Sequence, residues 1–330
     1  MADSAELIQA FDARVQRRDE RREFFKAAFG MGALAVGGAA ALSFSSKAQA
    51  QAITDTDILN FALNLEYLEA QFYSYAANGV GLAPNLLDGT GPQGAVITGT
   101  GPSMARKVIF TDPGVSAYAQ EIAADEIAHV AFLRAALTAG NTRSYVSQPV
   151  IDISGGAGSP FAAAATAAGV TNGANFDPYA GDDAFLLGAF IFEDVGVTAY
   201  KGASPLLTNK DFLEAAAGIL AVEAYHAAIV RTTLYGRGVA TPALRTIADQ
   251  ISRARDSLDG TSVVDQGISP TTVSGALVSN IAPLDTNGIA FSRSPSQVLH
   301  IVYLNAAAST MGGFYPAGVN GNIRASVANS

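Results

Sequence analysis

The sequence predicts an all-α protein, a four-helix bundle with long crossover loops and a C-terminal extension of helical and irregular structure. Three observations predict it. Four stretches of roughly 20–25 residues repeat apolar side chains at spacings of three and four. Long segments rich in Gly, Pro, Ser and Thr part the first stretch from the second and the second from the third. Each stretch also holds a glutamate inside its apolar pattern, and in two of them a histidine follows three residues later.

The first helix is read from Asp57 to Ala77, with Ile58, Phe61, Leu65, Leu68 and Phe72 on its apolar stripe. Thr54, Asp55 and Thr56 supply caps, and Asn78-Gly79 ends it. Residues 78–114 read as loop. The second helix is expected from Val115 to Ala139, stopped by Gly140-Asn141, and a polar, Gly- and Ala-rich stretch then runs to Gly181. The third spans Asp182 to Gly202, with Pro205 close behind, and the fourth Asp211 to Tyr235. Four such helices with a long middle connection make a bundle with a crossover. Beyond Gly236 come an amphipathic helix at Pro242–Leu258, a polar loop, a short helix at Pro295–Ala307 and a Gly-rich tail. The domain reading is a leader at 1–50, the bundle at 51–240 and an extension at 241–330 that packs on the bundle.

The leader rests on Arg21-Arg22-Glu23-Phe24-Phe25-Lys26, a soft apolar run from Ala27 to Phe44, and Ala48-Gln49-Ala50. This resembles a twin-arginine signal, which exports proteins already folded, with cleavage expected near Ala50–Gln51. The run barely reaches the length of a bilayer span. No other stretch reads as long and apolar enough to cross a membrane, so stable insertion after cleavage is not expected. The expected location is the periplasm or cell envelope. Net charge is −9, which disfavours nucleic acid as a partner. The chain has no cysteine, which excludes disulfides, iron–sulfur clusters and thiol nucleophiles.

Histidine is scarce, with three in the chain. Two of them lie in Glu126-Ile127-Ala128-His129 and Glu223-Ala224-Tyr225-His226. Spacing of i, i+3 puts both side chains of each pair on one helix face, where they can reach one ion. The other two helices offer Glu66 and Glu193 within apolar runs, and a lone buried carboxylate is costly unless paired or metal-bound. Glu69 and Asp194 are neighbouring alternatives, although Glu193 shares the stripe of Phe190 and Val197. Four glutamates and two neutral histidines balance two divalent ions. Oxygen and imidazole donors suit iron or manganese, and also zinc. The expected metal ligands are thus Glu66, Glu126, His129, Glu193, Glu223 and His226. Glu121 and Asp125 read as solvated, and Tyr67, Tyr73 and Tyr225 as packing residues or partners of the ligands. His300 reads as structural. Gly101-Pro102-Ser103 fits no phosphate loop.

One glutamate on each of two helices plus Glu-x-x-His on the other two resembles the ferritin-like dimetal carboxylate proteins, including bacterioferritin, rubrerythrin and manganese catalase. In that superfamily a Tyr often follows the first ligand by seven residues, as Tyr73 follows Glu66, which favours Glu66 over Glu69. The chain is also similar to the desiccation-related ferritin-like proteins. The residues that carry this are Leu63-Asn64-Leu65-Glu66-Tyr67-Leu68-Glu69-Ala70, Arg293-Ser294-Pro295-Ser296-Gln297-Val298-Leu299, Gly312-Gly313-Phe314-Tyr315-Pro316 and Gly318-Val319-Asn320-Gly321. The resemblance implies a di-iron or di-manganese centre bridged by Glu126 and Glu223, with redox chemistry on dioxygen or hydrogen peroxide in stress protection. A non-catalytic desiccation or envelope protein is the alternative, and iron storage in a cage a weaker third. A small-molecule substrate and a homo-oligomer are compatible with this reading.

Overall fold

The computed structural model describes residues 53–139 and 142–328. The proposed leader lies outside the described residues. Four long helices form the core: α1 Asp55–Asn78, α2 Pro113–Ala136, α4 Asp182–Ala203 and α5 Lys210–Ala240. A short α3, Pro160–Ala167, sits in the crossover, and α6 Ala243–Asp259 and α7 Pro295–Val302 belong to the extension. Among the described residues, strand is confined to three two-stranded pieces: β1 Val96–Ile97 with β4 Ile151–Asp152, β2 Thr138–Ala139 with β3 Thr142–Arg143, and the hairpin β5 Thr271–Val273 with β6 Ala276–Val278. The expected all-α architecture is present.

Local chemistry explains the helix ends. Thr54 and Asp57 form a capping box at the start of α1, and Gly79 closes the helix in the left-handed region at φ +80°. Asp112 caps α2 ahead of Pro113, so that helix begins two residues before the expected Val115. It also ends early, because residues 138–139 turn into a ladder with residues 142–143. The fourth helix runs past Gly236, where a stop was expected. A glycine inside a helix costs only about 1 kcal/mol. Arg237 in that last turn pairs with Asp112 and Asp183 at the starts of α2 and α4. Helix α3 was missed because its Ala-rich sequence has no apolar contrast. What defines it is local: Ser159 accepts from Ala162 N and Pro160 stands in the first turn. The last expected helix stops at Val302 rather than Ala307.

Cross-contacts give the helix directions. Gln120 reaches Ala77 and Arg134 reaches Tyr67, so α1 and α2 are antiparallel. Arg237 meets Asp183 and Arg231 meets Asp194, so α4 and α5 are antiparallel too. Tyr73 meets Glu193 and Tyr200 meets Glu66, which sets α1 antiparallel to α4. Helices α2 and α4 therefore run the same way. Their connection must return the length of the bundle, about 36 Å for 24 residues at 1.5 Å each. The two hairpins repeat one device. Asp55, at the start of α1, accepts from Thr208 N, Thr208 Oγ1 and Asn209 N at the start of α5. Asp182, at the start of α4, does the same for Thr111 and Asp112 at the start of α2.

By length and composition α5 could cross a membrane, contrary to the expectation that only the leader could. It nevertheless buries Glu223, His226 and Arg231 against the other helices, as a bundle-core helix does.

The extension is fastened by a buried ion network. Arg231 and Arg255 both donate to Asp194 Oδ2 at 2.8 Å, and Arg255 also pairs with Asp265. Arg293 donates to Asp259 at 2.6 Å, to Asp265 at 2.8 Å and to Thr198 Oγ1 at 3.0 Å. The backbone of Arg293 lies directly on Gly202, where any Cβ would collide with its carbonyl. Further on, Tyr315 donates to Asn64 O at 2.6 Å, and Asn320 and Asn64 exchange two hydrogen bonds at 2.9 Å. The rings of Phe72, Phe161, Phe192 and Phe314 pack at centroid distances of 4.9–5.6 Å and tie α1, α3, α4 and the tail together. Replacing Arg293 by Met should leave Asp259 and Asp265 buried and short of a partner. We expect a loss of about 3–5 kcal/mol in denaturant unfolding; a change under about 1 kcal/mol would show that the network does not hold the extension.

Candidate metal centre

Each bundle helix contributes from its buried stripe. Glu66 on α1, Glu126 and His129 on α2, Glu193 on α4, and Glu223 and His226 on α5 are all buried, His129 being the most accessible at 8%. The structure brings all six together. One group comprises Glu66, Glu126, His129 and Glu223, and the other Glu193, Glu223 and His226. Both histidines present Nδ1 to the centre. His129 Nδ1 lies 3.2 Å from Glu66 Oε2, 3.4 Å from Glu126 Oε2 and 3.8 Å from Glu223 Oε1. His226 Nδ1 lies 3.0 Å from Glu126 Oε1 and 3.7 Å from Glu193 Oε2. Glu126 thus faces both rings with one oxygen each, and Glu223 belongs to both groups.

The outer partners follow the repeat of the hairpins. Tyr73, seven residues after Glu66, donates to Glu193 Oε1; Tyr200, seven residues after Glu193, donates to Glu66 Oε1. Each phenol fixes one oxygen of a carboxylate and leaves the other aimed inward. Asp125 was expected to be solvated. Its side chain is 42% exposed, and its carboxylate also meets His226 Nε2 at 3.1 Å, which orients the ring with Nδ1 inward. Sequence spacing gave no hint, because the pairing crosses from α2 to α5. At the matching position on α5 stands Val222, so His129 has no such partner there. Glu69 is buried beside this centre but belongs to neither group, and Asp194 points to Arg231 and Arg255. Tyr67 donates nothing to the ligands; it accepts from Arg134 at 2.7 Å. Tyr225 is exposed. His300 is buried with both ring nitrogens against carbonyl oxygens of Asn305 and Val327, a structural placement.

The donor set fits two divalent ions. Both oxygens of Glu126 and Glu223, Glu193 Oε2 and His226 Nδ1 are buried without a well-aligned hydrogen bond. Unsatisfied carboxylate oxygens at this depth are expensive, and cations among them would remove the cost. The titration behaviour says the same. Burial, helped by the charge of Glu126, pushes Glu66 up to about 7. Burial pushes Glu193 up to about 8 against the pull of His226. Glu69 and Glu223 are raised well above the ordinary carboxylate range by burial and by neighbouring carboxylates. Burial would raise Glu126 as well, but the rings of His129 and His226 overcome it and hold it near 2. Burial opposes charge on the two rings, yet the surrounding carboxylates win and lift His129 to about 11 and His226 to about 9. Without cations, the cluster keeps protons in their place.

Comparison with known proteins agrees with this geometry. The ferritin-like domain family matches residues 54–236, the span of the four long helices. The ferritin-like catalase Nec2 of Nesocodon mauritianus is 31% identical over 278 residues, covering 82% of this chain and 84% of that protein. The desiccation-related protein PCC13-62 of Craterostigma plantagineum is 33% identical over 258 residues, covering 74% of this chain and 76% of that protein. No solved structure matches the chain.

Two outcomes are expected. For every group raised in the fold, stability is full below its unfolded value and is lost as pH climbs through the folded one. Glu66 and Glu193 therefore cost the metal-free protein stability between about 4.5 and about 8, and His129 and His226 add to the loss above about 6.5. Cations that replace those protons cancel it. The gap in Tm between metal-loaded and chelator-treated protein should widen from about pH 5 to about pH 8; a narrowing gap overturns the account. Secondly, a Cβ on Gly196 would collide with Glu223 Oε2. Gly196→Ala should weaken metal binding by about 10–100-fold while the helical circular dichroism stays unchanged.

Proposed function

The chain belongs to the ferritin-like domain family, and from that premise we propose that it holds two iron or manganese ions between Glu66, Glu126, His129, Glu193, Glu223 and His226 and decomposes hydrogen peroxide. The observation that carries the reading is the set of buried carboxylate oxygens and the His226 nitrogen that converge without hydrogen-bond partners. The relative named a ferritin-like catalase supports peroxide as the substrate over dioxygen. Two adjacent redox metals supply the electrons that such a reaction passes back and forth.

The residues of this chain do the rest. Glu126 and Glu223 sit between the two groups and set their spacing. Tyr73 and Tyr200 hold Glu193 and Glu66 with one oxygen each turned inward. Asp125 fixes the ring of His226. A groove of about 530 Å³ between α2 and α5, lined by Tyr118, Glu121, Asp125, Tyr225 and His226, gives a molecule the size of peroxide a path toward the centre. The apolar core around the cluster keeps bulk water away.

A non-catalytic stress or structural protein that keeps the bundle and uses metal, if any, for stability is the second reading, favoured by the likeness to a desiccation-related protein and by the fastened extension. Read as a twin-arginine leader, residues 1–50 support a periplasmic or envelope location for either activity, with folding and metal loading before export.

Protein purified from its exporting host should carry close to two metal ions per chain. Glu126→Ala and His226→Ala should each abolish uptake, read by elemental analysis. Oxygen release from peroxide should follow metal content. Full metal occupancy with no oxygen release sinks the catalase reading and leaves the stress protein; intact folding with no metal sinks the dimetal reading.

A further inference from the structure

A second cavity lies on the far side of α4 and α5 from the metal cluster, roofed by the loop that carries residues 264–293. It encloses about 200 Å³. That is somewhat more than the ~150 Å³ apolar cavity that accepts a benzene molecule. Its walls include Val197, Ala227, Ile281, Pro283 and Phe291, and its mouth is edged by exposed Ala224 and Ala228. Small residues make the space. Aligning the two Glu-x-x-His helices sets Ala224 against Ile127 and Ala227 against Val130.

The polar floor is almost fully committed. Arg231 spends its donors on Ile281 O, Asp194 Oδ2, Gln266 O, Gly267 O and Asn280 O. Arg293 and Asp265 pair with each other, and Arg293 also serves Asp259 and Thr198. Thr198 donates to backbone carbonyls of its own helix. One group is left. Asp194 is 3% exposed, its Oδ2 takes two guanidinium groups, and no protein group donates to its Oδ1. The floor therefore asks for one donor. A second anion would face Asp194, and a cation would face Arg231 and Arg255. A neutral hydroxyl meets neither repulsion.

The other hairpin shows what such surroundings accept. Arg134, at the place that matches Arg231, has the ring of Tyr145 4.1 Å from its guanidinium carbon and donates to the hydroxyl of Tyr67.

We propose that the cavity under residues 264–293 binds a neutral, single-ring molecule bearing one hydroxyl group, its ring among Val197, Ala227 and Phe291 and its hydroxyl donated to Asp194 Oδ1. The site uses none of the six residues of the metal cluster, so it stands or falls apart from the metal reading.

The test is calorimetric titration of the protein as purified with 4-methylphenol, toluene and 4-methylbenzoate, with NMR contacts to the Val197 methyl groups. One equivalent of 4-methylphenol should bind, about tenfold or more tighter than toluene, the difference expected of a hydrogen bond to a carboxylate. The benzoate should not bind. Ala224→Leu, a change at an exposed position of the mouth, should weaken 4-methylphenol at least tenfold with Tm unchanged. Contacts to Val197 in the wild type locate the ligand even if that variant unfolds. Equal affinity for toluene, absence of binding, no contact to Val197, or a charge-transfer absorption that persists in Ala224→Leu would each overturn the proposal; the last would put the phenol at the metals.

Discussion

Four carboxylates and two imidazoles share one buried pocket, and the rest of the molecule answers the cost of putting them there. Each carboxylate stripped of water must find protons, donors or cations. The phenols of Tyr73 and Tyr200 satisfy one oxygen apiece, and the histidines lend charge. The helices must then be held in register, since a slip of one residue would turn a carboxylate or imidazole out of the cluster. Asp55 and Asp182 fix that register by capping the facing helices.

Much of this was legible in the residues. The two Glu-x-x-His pairs, the glutamates inside apolar stripes and the scarcity of histidine name all six members of the cluster. Helical periodicity finds α2 and α5 because each buries one face and exposes another, whereas α1 and α4 are buried on almost every side and are marked by their length and end signals. Asp125 escaped because its role depends on which helix faces it, and spacing within α2 carries no record of α5. Helix α3 escaped for a different reason: its Ala-rich run lacks the contrast that periodicity needs. The overrun past Gly236 reflects tertiary pairing of Arg237 outweighing a weak local preference.

The two hairpins share an architecture and differ where chemistry can use the difference. Asp125 faces Val222, Glu69 faces Gly196 and Tyr67 faces Asp194 when the halves are aligned. The first makes the two histidines unequal. The second gives Glu223 the room it occupies. The third replaces a phenol by a carboxylate and ties the second hairpin to the extension through Arg231 and Arg255. The extension is thus part of the bundle's electrostatics as well as its cover.

The hydrogen bonds from Tyr315 and Asn320 to Asn64 join positions 251 and 256 residues apart. Contacts of such separation close late, because the loop between them must be brought together first. Asn64 stands two residues from Glu66. On a growing chain, α1 can lie against α2 long before residue 320 leaves the ribosome, but its final seating waits for the tail. The geometry around Glu66 is therefore finished only after residues 315–320 have been made, which makes the first helix of the bundle wait for a segment far down the chain.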